Sequence, residues 1–324
     1  MKIFIAGGSG AVGSRLVPLL VAAGHEVTGT AHSEAGAARI AAAGGRGVIM
    51  DGTDPASIRR AVLDAKPDVL VHQLTALSGS FDLKRLDETF AVTNRLRTLG
   101  TDALIAAAKE AGTGRIVVQG YTGWPNEHTG AAVKTEADPL DPNPVPTARN
   151  TLAAIAHAEH AAVEAGGLAL RFGNFYGPGQ SLGEGGEMLM SVQKGQVPIV
   201  GSGAGVWSFC HIDDAVAATV AAITQGDAGV YNIVDDEPAP VAEWLPVLAS
   251  IVGRKRPMRV PAWLARFLIG DFGVAWMTTA RGSSNAKAKA ELGWTPRYPS
   301  WREGFRTGLS ASSAGRSQSL DPLG

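Results

Sequence analysis

Short apolar runs alternate with amphipathic ones over the first half of the chain. Lys2 to Ala6 is apolar and contains β-branched residues, and Ser14 to Ala23 repeats its apolar positions at helical spacing before stopping at Gly24. The pattern continues with a strand at His25 to Thr30, a helix at Ala35 to Ala43, a strand at Gly47 to Met50 and a helix at Pro55 to Ala65. Asp68 to His72 reads as the fourth strand. A long helix from about Leu86 through Asn94 towards Leu99, continued by Thr101 to Ala111, leads to a fifth strand at Ile116 to Val118. Thr147 to Ala165 is strongly helical and precedes a sixth strand, Leu168 to Arg171. Strands in strict alternation with helices predict an α/β fold: a doubly wound, mostly parallel sheet with helices on both faces.

Beyond the sixth strand the spacing is less regular. Helices are expected at Glu187 to Lys194, Asp213 to Ile223, Val241 to Ile251 and Pro261 to Ile269, with a further strand at Val230 to Val234. Residues 1–172, completed by segments at about 206–235, form the expected main α/β domain. Residues 173–205 and 236–309 form a smaller mixed region, and 310–324, rich in Ser and Gly, a flexible tail. Tyr121 to Pro146 has no period and is rich in Pro, Asn, Gly and Thr. A loop that long inside a compact domain is expected to line a site.

The turn after the first strand reads Gly7-Gly8-Ser9-Gly10-Ala11-Val12-Gly13. Strand, glycine turn, helix and second strand together form a dinucleotide-binding unit. Gly7 and Gly10 let a pyrophosphate approach the backbone, Gly13 lets the helix sit close to the strand, and the helix N-terminus, with Ser9, Ala11 and Val12, offers N–H groups to phosphate.

Composition narrows the function classes. A net charge of -1 and a pI near 6.7 argue against a nucleic-acid surface or a polybasic membrane contact. The single cysteine, Cys210, excludes a disulfide framework. His157 and His160 lack a third ligand at useful spacing, so no metal is expected. No basic segment followed by an apolar stretch opens the chain, and no run is clean enough to span a bilayer. The expectation is a cytoplasmic enzyme for a small-molecule substrate, with a homodimer left open.

The glycine turn, Asp51, Asp68 to Ala76, Asn94, Leu170-Arg171, Asn174 to Gly179, His211 to Asp214, Tyr231-Asn232-Ile233 and Asn285 to Ala288 followed by Leu292-Gly293-Trp294 occur in an order and spacing that resembles the extended short-chain dehydrogenase/reductase family, the NAD-dependent epimerases and dehydratases. The resemblance implies a Rossmann domain with a smaller C-terminal region over the carboxyl ends of its strands. It also implies cofactor contacts from Gly52, Leu74, Thr75, Ala76, Asn94, Gln119, Asn174 and Tyr176, with Asp51 at the adenine.

The family's chemistry rests on a Ser or Thr after the fifth strand and a Tyr-x-x-x-Lys pair on the next helix. The lysine lowers the tyrosine's pKa and holds the nicotinamide ribose. Counting back from Glu159, Thr151 stands at the tyrosine place, Ile155 at the lysine place, and Gly120 replaces the serine. All three parts of the proton machinery are missing. Tyr121, at the carboxyl edge of the sheet, is the candidate replacement acid, with packed loop aromatic as the alternative; Thr122 and Thr151, acting through water, or the substrate itself are the other proton sources. No acidic residue ends the second strand, where Thr30-Ala31-His32-Ser33 stands, so NADP is favoured through His32, with NAD the alternative. The implied activity is an NAD(P)-dependent oxidoreductase or epimerase for a carbonyl, alcohol or nucleotide-sugar compound. The alternative is a non-redox nucleotide-binding protein: a sensor, lyase or isomerase.

Overall fold

A computed structural model describes residues 1–77 and 81–311. Seven strands form one sheet: β1 (Lys2–Ala6), β2 (Glu26–Ala31), β3 (Arg46–Ile49), β4 (Val69–His72), β5 (Arg115–Tyr121), β6 (Leu168–Phe172) and β7 (Gly229–Ile233). Their order is β3-β2-β1-β4-β5-β6-β7, and every neighbouring pair is parallel. Winding reverses between β1 and β4, which opens a crevice beyond their carboxyl ends.

The period-two alternation of β1 sorts its side chains between two cores. Phe4 and Ala6 join Ile58 and Val62 of α3 (Pro55–Ala65), Leu104 and Ala108 of α6 (Thr101–Ala111), and Ala158 and Ala162 of α7 (Arg149–Glu164). Ile3 and Ile5 face the other way, against Leu16 and Val17 of α1 (Gly13–Ala22) and Ile212 and Val216 of α9 (Ile212–Thr224). The remaining helices before α7 are α2 (Glu34–Ala42), α4 (Leu86–Thr89) and α5 (Ala91–Arg95). Where the sequence pattern predicts one helix running to Leu99, a π-helical turn at Leu96–Gly100 separates α5 from α6.

β5 reaches three residues further than its apolar run, so Tyr121 ends the strand rather than opening the loop. The loop beyond it holds a two-residue strand, Val133–Lys134, paired with Gly282–Ser283. The expected tail lies outside the described residues beyond Ala311.

The C-terminal region has its own core, dominated by Tyr176, Trp207, Phe209, Trp244, Trp301 and Phe305. It is covered by α8 (Glu187–Gln193), α10 (Val241–Ile251), α11 (Ala262–Thr278) and α13 (Trp301–Thr307), while α12 (Ala286–Leu292) packs against the sheet through β7. Helix α11 outruns its expected end at Ile269 because Gly270, with φ of 71°, kinks it and lets it continue. Trp207 and Trp276 stack with ring centroids 4.1 Å apart.

Helix α13 fits only because residue 304 is glycine. A Cβ there would lie 2.0 Å from the Tyr176 hydroxyl. Gly304→Ala should therefore lower stability by about 1–3 kcal/mol through overpacking. Urea unfolding would check it, and an unchanged midpoint would show that α13 docks elsewhere.

Candidate functional site

The glycine turn leaves β1 with Gly7 at φ of 90°, its N–H donating to Thr30 Oγ1 at 3.0 Å. The Gly10 N–H returns to the Gly7 carbonyl at 3.0 Å, and a Cβ on Gly13 would lie 2.2 Å from that same oxygen. Helix α1 has no side-chain cap; the Ser14 N–H donates to the Gly10 carbonyl at 2.9 Å and the Arg15 N–H to the Val12 carbonyl at 3.1 Å, so among the described residues the N–H groups of Ala11, Val12 and Gly13 are the ones left without a backbone partner, beside accessible Ser9, Gly10 and Ala11. This is a cradle that side chains would fill and that an anionic ligand fits. Arg15 closes one side, donating to the Pro178 carbonyl at 2.6 Å.

Asp51 is exposed after β3. Its carboxylate accepts from the Thr53 N–H and hydroxyl, both at 2.8 Å, which hold it below the usual carboxylate range. Gly52 lies against Leu74 and Leu96, where a Cβ would meet both side chains. Beyond β4, the Leu74 carbonyl accepts from Gln119 Nε2 at 3.2 Å and the Ala76 N–H donates to Thr93 Oγ1 at 3.0 Å, leaving Thr75 exposed between them.

Thr151 does not face the cleft as an acid. It is buried, donating from Oγ1 to Asp87 Oδ1 at 2.7 Å and accepting from Asn94 Nδ2 at 3.0 Å. Asp87 also accepts the N–H groups of Asn150 and Thr151, at 3.0 and 2.8 Å, and so caps α7. One turn on, Ile155 is buried and apolar. One turn further, Glu159 makes a bidentate ion pair with Arg171, at 2.9 and 2.7 Å, both side chains buried. A Cβ on Gly120 would lie 2.9 Å from Glu159 Oε1, so the ion pair occupies the room of the missing serine.

Two further expectations are corrected. Thr122 is buried, its hydroxyl 2.6 Å from Ser283 Oγ, and ties the loop to the Gly282–Ser283 strand rather than reaching a ligand. Tyr176 is fully buried in the C-terminal core against His211, Tyr298 and Phe305, and burial raises its pKa. Its enclosed hydroxyl has no hydrogen-bond partner among the described residues.

Tyr121 is half-buried at the end of β5 and donates to Asn174 Oδ1 at 2.7 Å, while Asn174 Nδ2 donates to the Ser208 carbonyl at 3.1 Å. Burial raises the phenol's pKa well above its ordinary value; nearby Arg97 opposes this only in part. Tyr121 is thus a neutral phenol whose proton is engaged.

The sequence pattern did not expose Gln73, Asp87 or Arg97. Gln73 follows β4, nine-tenths buried, with neither amide atom hydrogen-bonded; Asn94 Oδ1 and two nitrogens of Arg97 are likewise enclosed and unpartnered. Enclosed polar atoms without partners among the described residues, on the turn after β4, on α5 and on the adjoining π turn, are what a site awaiting a polar ligand has. The signal for Arg97 is a charge on an otherwise buried helical face between Leu96 and Gly100.

The chain matches the NAD dependent epimerase/dehydratase family over residues 3–234. It is 41% identical over 310 residues to a 3-diazoavenalumate denitrifying reductase from a Streptomyces species, covering 94% of this chain and 99% of that protein. The UDP-glucose 4-epimerase of Thermotoga maritima, solved with UDP-glucose, aligns with a TM-score of 0.75 at 22% identity, covering 98% of this chain and 99% of that one. The Thermus thermophilus UDP-glucose 4-epimerase, solved with NAD, aligns with a TM-score of 0.71 at 22% identity, covering 99% and 100%.

The expectation of NADP is overturned by these likenesses: the Thermus enzyme and other similar solved structures are complexes with NAD. The local geometry agrees. Ser33 is used to cap α2, accepting from the Gly36 N–H, and His32 is exposed with no Lys or Arg beside it before Arg39. The residues that end β2 thus bring no Lys or Arg for a 2′-phosphate. Among the described residues no group of three His, Cys, Asp or Glu forms a metal site, and no helix is long and apolar enough to cross a membrane.

Gly120→Ser restores the family's residue at the cost of the Glu159–Arg171 pair. Stability should fall by about 1–3 kcal/mol, read from urea unfolding. A stable variant would mean that the pair does not fill that space.

Proposed function

The chain belongs to the NAD dependent epimerase/dehydratase family, and we propose that it is an NAD-dependent reductase delivering hydride to a diazo-bearing small molecule, with release of dinitrogen. As a family member it is an NAD-binding enzyme of the oxidoreductase/epimerase type. Residues Gly7 to Gly13 hold the pyrophosphate in this reading, Asp51 the adenine, and Gly52, Leu74 to Ala76, Asn94, Gln119 and Asn174 the rest of the coenzyme. Residues 173–205 and 236–309 contribute the substrate side, in a cytoplasmic enzyme with no nucleic-acid partner.

One observation carries the reading. The acid's place is filled by a threonine hydroxyl sealed against Asp87, and in this reading hydride transfer there needs no proton from α7. Carbonyl reduction makes an alkoxide that must be protonated. A diazonium carbon needs no proton: it gains a hydride, its C–N bond breaks, and the bonding pair leaves with N2. NADH, when bound, supplies that hydride and is oxidised to NAD. The 41% identical relative is named for a diazo substrate and for loss of nitrogen, which supports the same chemistry.

A second reading is carbonyl reduction with Tyr121 as the acid, favoured by the 2.7 Å bond that fixes its hydroxyl at the end of β5. Single-turnover oxidation of NADH, followed at 340 nm with an arenediazonium ion or a ketone, separates the two. The expected result is NADH oxidation above the enzyme-free rate only with the diazonium ion, one N2 per NADH, and deuterium from 4-deuterated NADH on the product carbon. Tyr121→Phe should change that rate less than about 3-fold, whereas loss of a proton donor costs on the order of 10²–10⁴-fold. Ketone turnover abolished by Tyr121→Phe would establish the second reading instead.

A further inference from the structure

Arg97 lies in the π-helical turn Leu96–Gly100, a distortion that recurs where a helix re-aims a functional side chain. Two contacts set its position against α7. Asn94 Nδ2 donates to Thr151 Oγ1 at 3.0 Å, and Asp102 Oδ1 lies 2.7 Å from His157 Nε2. The two helical stretches run side by side in the same direction, each crossing from one parallel strand to the next. Arg97 and Ile155 both fall between those contacts, on stretches that pack against each other.

Arg97 is 6% exposed, and among the described residues no group accepts a hydrogen bond from its guanidinium; Nε and Nη1 are completely enclosed. Burial lowers its pKa to about 10, which still leaves it charged at neutral pH. A charge taken out of water without acceptors is costly, and buried arginines are ordinarily paired. The nearby carboxylate, Glu159, has both oxygens committed to Arg171. The unmet donors thus belong to a turn packed on the stretch of α7 where Ile155 replaces the family's lysine, and the guanidinium acts on the Tyr121 phenol.

We propose that Arg97 is the cation of this site: its guanidinium takes the hydroxyl oxygens of the nicotinamide ribose of bound NAD, a task moved from α7 to the neighbouring π turn. Nη2, the one guanidinium nitrogen that is not enclosed, carries two N–H donors, enough for two adjacent hydroxyls, and arginine keeps its charge in a dry setting where lysine readily loses it. The inference rests on NAD binding and not on the identity of the reduced substrate. Thr151 cannot use a cation to become an acid, so the anchoring role is the part of the lysine's work that remains.

Calorimetric titration with NADH, ADP-ribose and AMP tests it without turnover. Arg97→Met should weaken NADH and ADP-ribose by about 10- to 100-fold, the range of a lost charged hydrogen bond, and leave AMP, which lacks that ribose, unchanged. Arg97→Lys should keep part of the affinity, and adding Ile155→Lys to Arg97→Met should recover part of it. The ligand-free Arg97→Met protein should unfold at the same or a higher urea concentration, because an orphaned charge is removed; a structural ion-pair role would lower it. NADH affinity unchanged within 2-fold in Arg97→Met, or equal losses for AMP and NADH, would overturn the proposal. Failure to reduce a diazonium ion with these titrations as expected would overturn only the substrate reading.

Discussion

The cleft depends on two charges held out of water, Glu159 of α7 and Arg171 at the end of β6. Their bidentate pairing offsets a desolvation cost of several kcal/mol per ion only because both hydrogen bonds are short and well placed. The pair fixes α7 against the sheet and fills the space beside β5, which is why residue 120 has no side chain. Thr151, Ile155 and Glu159 follow one another at four-residue spacing, so they share the helix face turned towards the sheet. In this chain that face carries a sealed hydroxyl, a hydrocarbon and a paired carboxylate. None of them can hand a proton to a ligand.

Most of the scaffold was legible in the pattern of apolar residues. Pro55–Ala65 has the bounds expected of it, since Asp54 caps it and Pro55 sits where a missing N–H is harmless. The glycine turn was legible for a similar reason: its shape is set by local backbone sterics, and its neighbours in sequence are its neighbours in space. The emptied acid positions could be counted because they lie along one helix.

What escaped the sequence is what distant segments decide. Tyr176 follows a strand end and belongs to a stretch that resembles a cofactor contact, yet Gly304 makes room for its ring in the other direction. Thr122 looks available until Ser283 supplies its partner. Asp87 carries nothing in its own neighbourhood to show that it caps a helix beginning at residue 149. Coenzyme choice is not settled by the end of β2 alone: rejecting NAD takes more than an absent carboxylate there, and Ser33, the partner expected to help hold a 2′-phosphate, caps α2 instead.

Losing the acid also sorts substrates. A ketone that accepts hydride concentrates a full negative charge on one oxygen, and in a cleft without an acid that oxyanion either stays unprotonated or returns the hydride. General acid assistance is worth roughly 10²–10⁴-fold, so its absence penalises carbonyl compounds by about that factor while leaving a diazonium carbon untouched, because there the leaving group is neutral N2. Discrimination of this kind needs no added contact to the favoured substrate; it comes from withholding what the competitor requires. A binding protein that used the nucleotide only as a brace would not need this arrangement. In a reductase of the proposed kind, the Thr151–Asp87 seal and the Glu159–Arg171 pair are parts of one device, which leaves this face of α7 with no proton to give a hydride acceptor.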